Sequence, residues 1–95
     1  MPKAYVVTSS ISDPEKFAAY AKLAPAAVAP FGASFLARGN AAAAYENGRK
    51  ERIVIVEYPS LENATAARES AAYGKALKAL GDSAVRDVRI VEGLE

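Results

Sequence analysis

The stretch Arg52-Ile53-Val54-Ile55-Val56-Glu57-Tyr58 constrains this chain more than any other. It is rich in β-branched and aromatic residues and Pro59 closes it, so residues 51–58 read as a strand. A strand points successive side chains to opposite faces. One parity holds Val54, Val56 and Tyr58, and the other holds Ile53 and Ile55. Both faces are therefore apolar, and both need cover.

The rest of the chain supplies cover for only one of them. Residues 3–11, 33–39 and 84–92 also read as strands, from their β-branched and aromatic content and the turn residues that bound them. Ser12-Asp13-Pro14-Glu15 marks a helix start, with Ser12 or Asp13 as cap and Pro14 in the first turn. Phe17, Tyr20, Ala24, Ala27, Val28 and Phe31 follow at helical spacing, with Pro25 expected to kink or restart the helix. Residues 60–80 form a second helical segment capped by Ser60. Its two apolar stripes, Leu61 and Ala64, then Tyr73, Leu77 and Leu80, do not share one line, which predicts a bend near Ser70-Ala71. Residues 41–50 are a loop or a short strand folding back at Asn47-Gly48.

The order strand–helix–strand–strand–helix–strand describes an α+β, ferredoxin-like sheet with its helices on one face. A chain of 95 residues makes one such domain, residues 1–95. Alanine supplies 22 of its 49 apolar residues, which leaves few large side chains for a core. A second copy of the same sheet is the simplest cover for the bare face, so a homodimer through sheet faces is expected.

Composition excludes whole classes of chemistry. With no Cys and no His, disulfides, thiolate nucleophiles, Cys/His zinc sites, His-ligated haem and His general bases are out. A formal charge of +1 gives no basic field for nucleic acid. The basic run Arg49, Lys50, Arg52 is balanced by Glu46 and Glu51 and reads as a solvated turn. No apolar run reaches the ~18 residues of a membrane span, and Met1-Pro2-Lys3 lacks a signal-peptide pattern, so a cytoplasmic protein without a membrane partner is expected. No cofactor and no metal site is expected. The acidic pairs Glu46/Glu51 and Asp82/Asp87 form no recognisable metal or glycosidase constellation.

Four residues are candidates for binding a ligand. Arg38, on a strand beside Gly39, offers a planar fork for a carboxylate or phosphate, or else pairs with Glu57 or Glu92. Tyr20 and Tyr73, on the sheet-facing sides of their helices, either line a cavity with their hydroxyls or simply pack. Glu57, in the most apolar strand, either shuttles a proton or pairs with Arg52, Arg38 or Arg89. No catalytic residue is identified.

Asp13-Pro14-Glu15, Tyr20, Gly32 and Phe35-Leu36-Ala37-Arg38-Gly39 occur in a telling order with Arg52, Glu57-Tyr58-Pro59-Ser60, Ala64, Ser70, Tyr73 and Ile90-Val91-Glu92-Gly93. Over about residues 3–93 this resembles domain-of-unknown-function family 1330. The resemblance implies the dimeric α+β barrel superfamily, in which two ferredoxin-like protomers pack their sheets together. That superfamily includes cofactor-free monooxygenases, isomerases, dehydratases and haem enzymes. The leading expectation is a small dimeric protein of no established activity that binds a small anionic or aromatic metabolite in a cleft between sheet and helices, bordered by Tyr20, Arg38, Glu57 and Tyr73. The alternatives are a cofactor-free monooxygenase or isomerase, with Glu57 or a tyrosine moving the proton, and a structural or interaction module without a pocket.

Overall fold

The structure, a computed structural model, describes residues 2–12, 14–48, 50–81 and 84–94, with side chains described except at 11, 12, 14–17 and 84. The elements are β1 (Ala4–Ser12), α1 (Pro14–Val28), β2 (Ser34–Asn40), β3 (Arg52–Tyr58), α2 (Leu61–Glu69), α3 (Ala71–Leu80) and β4 (Ala84–Glu92). The strands form one sheet in the order β2-β3-β1-β4, every neighbour antiparallel. This is the expected ferredoxin-like arrangement, with the second helical segment in two pieces.

That break falls at Ser70, and one side chain organises both sides of it. Ser70 leaves the helical region at φ −68° and ψ 153°. Its hydroxyl donates to the Ala67 carbonyl at 2.8 Å and accepts from the Tyr73 N–H at 3.2 Å. It thus satisfies one orphan group at each helix end. The new helix direction is what allows Tyr73, Ala76 and Leu80 to be buried although they are out of line with the buried Ala64 and Ala67.

Ser60 caps α2 as expected, accepting from the Asn63 N–H at 3.1 Å. Asn63 in turn donates through Nδ2 to the Phe31 carbonyl at 3.0 Å, which ties α2 to the 3₁₀ turn Ala29–Phe31 that follows α1. Gly32 leaves that turn at φ +83°, and a Cβ there would come within 2.8 Å of the Pro59 ring, so the crossing requires glycine on two counts. α1 runs on through Pro25, which lies inside it, so the helix does not restart there. Ala24, Ala27 and Val28 are buried around it, and that packing offsets the missing donor. The cap expected from Asp13 lies outside the described residues, as do Arg49, Asp82 and the Phe17 side chain.

The described residues of 41–51 form a loop, the first of the two readings of this stretch. Its neck is closed by the Ala41 N–H donating to the Glu51 carbonyl at 2.9 Å. The turn inside it runs from Tyr45 to Gly48, whose N–H donates to the Tyr45 carbonyl at 2.8 Å, with Glu46 at φ +55°. The turn thus contains the Asn47-Gly48 pair that the sequence marked, as its last two residues.

Register decides which side chains share a face. Val6 sits between Val56 and Ile90, Thr8 between Val54 and Val88, and Ser10 between Arg52 and Arg86. All of these look toward the helices, together with Tyr58 and Ala4. The opposite face carries Tyr5, Val7, Ile53, Ile55, Val85 and Val91 by alternation. In β2 a bulge between Phe35 and Ala37 adds one residue. Phe35 pairs with Val56 and Arg38 with Val54, so these two, three positions apart, lie on one face. The core on the helix side is built of small groups: Ala4, Ala67 and Ala76 are fully buried, and among the described residues no large side chain is.

Candidate functional site

Between the sheet and the helices lies an open cleft of about 90 Å³. On that scale one water needs ~10–15 Å³, so the space suits a small organic molecule rather than a drug-sized one. Its floor is apolar, from Val6, Val54, Val56 and Ile90. Its polar groups are phenols, guanidiniums and the hydroxyl residues Thr8 and Ser10. Tyr20, Tyr58 and Tyr73 line it, and so do Arg38, Arg52, Arg68 and Arg86. Among the described residues no Asp or Glu does.

The phenols are held by one another. The Tyr20 and Tyr73 hydroxyls are hydrogen-bonded at 2.5 Å, and their rings meet edge to face with centroids 6.1 Å apart. The pair joins α1 to α3 across the cleft. Arg86 of β4 donates through Nη2 to the Tyr73 hydroxyl at 3.2 Å, while its guanidinium lies 5.0 Å from the centre of the Tyr20 ring. Burial, and then the bond to Tyr73, push the Tyr20 phenol well above the ordinary phenol range. Burial likewise pushes Tyr58 up to about 12. For Arg86, burial works to lower the pKa, but the two phenols outweigh it and the net direction is upward. At neutral pH the Tyr20 and Tyr58 phenols are therefore neutral, and Arg86 keeps its charge beside Tyr20.

The other cleft arginines follow one pattern. Arg38 lies 5.3 Å from the centre of the Phe35 ring, and Arg68 lies 5.0 Å from that of Tyr73. Neither they nor Arg86 has a carboxylate partner among the described residues. The ion pairs that are described, Lys3–Glu57 at 3.3 Å and Arg89–Asp87 at 3.0 Å, involve side chains outside the cleft lining.

Three of the four residues expected at the cleft therefore meet there: Tyr20, Arg38 and Tyr73. Glu57 does not. It shares parity with Ile53 and Ile55, pairs with Tyr5 across the ladder, and its carboxylate meets Lys3 rather than Arg52, Arg38 or Arg89. Arg38, in turn, rests on Phe35 and makes no ion pair with Glu57 or Glu92. Arg52 is also corrected: it belongs to β3 and lines the cleft, not a solvated turn, because it has the parity of Val54 and Val56. The polar residues missed were Thr8, Ser10, Arg52, Tyr58, Arg68 and Arg86. Parity was the available signal for Arg52 and Arg86, which continue the apolar sets Val54/Val56 and Val88/Ile90.

The fold that holds this helix-side cleft is that of an α+β, ferredoxin-like domain. Residues 3–94 match the model of the family described as Domain of unknown function (DUF1330), and the chain belongs to that family. No curated protein matches the chain. Among solved structures it is similar to a protein of unknown function from Rhodopseudomonas palustris, with a TM-score of 0.75 and 15% identity, over 99% of this chain and 84% of that one. It is also similar to SnoaB, a cofactor-independent oxygenase from Streptomyces nogalater, with a TM-score of 0.67 and 11% identity, over 100% of this chain and 96% of that one. A third is a conserved protein from Methanosarcina mazei Go1, with a TM-score of 0.62 and 12% identity, over 99% and 95% of the two chains. At such identities the likeness is one of fold.

Proposed function

We propose that this protein is a cytoplasmic homodimer that binds a small anionic or aromatic metabolite in the cleft between sheet and helices. The observation that carries the reading is the cleft's composition: an apolar floor rimmed by Tyr20, Tyr73 and arginines, with no described acidic group among them. Such a site favours a ligand with a flat apolar body and a negative charge. The dimer part of the proposal rests on the other face of the sheet, where Val7, Val85 and Val91 are exposed beside Ile53 and Ile55 and no described helix covers them. Thermal-shift screening of small aromatic and aliphatic acids and their neutral analogues tests the binding. A hit that raises the melting temperature and loses affinity in Arg38→Ala is expected. A panel without any hit, or binding unchanged in Arg38→Ala, would count against the cleft.

An enzymatic reading as a cofactor-free oxygenase or isomerase draws on the fold shared with SnoaB. The cleft's own chemistry gives it less support. Glu57, the expected proton carrier, is outside, and burial holds the Tyr20 phenol in its neutral form.

A further inference from the structure

The cleft has a direction. Along the helix-facing side of the sheet, the rows Val56–Val6–Ile90 and Val54–Thr8–Val88 are almost wholly apolar. The next row is Arg52–Ser10–Arg86. Neighbours in an antiparallel row stand about 4.5–5.5 Å apart, so two guanidinium-bearing strands flank one serine. Ser10 is 6% exposed, and its hydroxyl has no hydrogen-bond partner among the described residues. Ser10 lines the cleft, so a ligand oxygen can come within reach of its hydroxyl.

The guanidiniums add a second observation. Arg86 rests on Tyr20, Arg68 on Tyr73 and Arg38 on Phe35. An aromatic face positions a guanidinium without neutralising it, whereas a carboxylate would do both. Arg86 already donates through Nη2 to the Tyr73 hydroxyl, so its remaining N–H groups are the ones a planar anion would meet. Arg86 is half-buried while Arg38 and Arg68 are exposed, so positive charge stands both at the open side of the cleft and deeper in it.

We propose that the Arg52–Ser10–Arg86 row is an oxyanion seat, and that the ligand is a small organic acid that enters carboxylate first. Its carboxylate accepts from the Arg86 guanidinium and the Ser10 hydroxyl, and its apolar body lies on Val54 and Val56. Arg38 and Arg68 attract the acid without fixing it. This rests on the cleft-binding reading above and adds the head group, its seat and the ligand's polarity.

Benzoate and benzamide separate the two claims, since they share a ring and differ in charge. Titration into the intact protein, followed by calorimetry and by tyrosine fluorescence, should show benzoate binding at least ~10-fold more tightly. Arg86→Gln should remove most of that preference and leave benzamide affinity unchanged. Arg86→Lys, which keeps the charge without the fork, should weaken benzoate ~5-fold or more. Arg38→Gln and Arg68→Gln should each cost ~2–4-fold, fading at high salt. Arg89→Gln, an exposed arginine on the same strand, should change nothing. Equal affinity for benzoate and benzamide overturns the oxyanion seat and leaves the cleft reading standing, and so does a preference that survives Arg86→Gln. Failure of both probes to bind at millimolar concentration overturns both. The preference in the unaltered protein needs no variant, so a misfolded Arg86 variant does not shield the proposal.

Discussion

The two faces of the sheet are built from the same strands and have opposite fates. On the helix side Val56, Tyr58, Ala64, Ala67, Tyr73, Ala76 and Leu80 are buried, and what is left open is a cleft with phenols and guanidiniums around it. On the other side Val85 is 79% exposed and Val91 56% exposed, beside half-buried Ile53 and Ile55. Strand β3 is equally apolar on both sides, so the difference does not come from the strand. It comes from the number of helices a chain this short can spare, and from where the crossovers carry them. A two-sided apolar strand in a small α+β domain thus leaves one face for the fold's own helices and one that its helices do not cover.

The sharpest way to break that comparison is to charge the open face. Ile55→Glu should abolish the proposed dimer: light scattering should move from twice the 10.0 kDa of one chain to a single chain, with an accompanying loss of thermal stability. A particle of one chain's mass before any substitution would erase the distinction between the faces. The next largest effect belongs to the helix side. Leu80→Ala removes a side chain that is 4% exposed and should cost ~2–5 kcal/mol in urea unfolding, with the oligomeric state of the folded protein unchanged.

Alkali should act on the helix side alone. Tyr20 and Tyr58 have folded pKa values raised above the ordinary phenol value of ~10. The unfolded chain releases those protons near pH 10 while the folded chain keeps them, so their stabilisation is present below pH 10 and is lost as pH rises toward about 12. The melting temperature should therefore hold from pH 7 to about 9 and fall above about 10, with a shallower fall in Tyr20→Phe. Ser70→Ala is the smallest of the four. It removes the shared cap and should cost ~1–2 kcal/mol by urea titration, a value that would drop toward zero if the α2–α3 joint were held by packing alone.

Much of this fold was legible because it follows from short-range rules. The parity of residues 52–58, the Ser60 cap and the mismatch of apolar stripes around Ser70 lie within a few residues of sequence, and each appears where the pattern put it. The site was legible only in part. Tyr20 and Tyr73 were visible as members of apolar helix faces, but their mutual bond joins positions 53 residues apart and depends on how α1 and α3 approach. Arg86 and Ser10 were not visible as a pair, because their adjacency is a matter of β1–β4 register. A polar residue in a strand reads alike whether it faces water or a cleft. Glu57 is different: its parity with Ile53 and Ile55 already set it apart from Val56 and Tyr58, and that signal outweighs the attraction of a carboxylate in an apolar strand.

The extra residue in β2 has an effect beyond aiming Arg38. That strand is an outer rib of the sheet, and an outer rib with unpaired amides is a template on which stray chains zip into fibrils. The irregularity between Phe35 and Ala37 spoils the flat ribbon that such zipping needs. At the opposite rib, β4 alternates Arg86, Asp87, Arg89 and Glu92 among its apolar residues, so a sideways neighbour would meet charge. Lateral growth is thus discouraged along both margins, and a protein that leaves so much grease on one broad side is protected from polymerising along its rims.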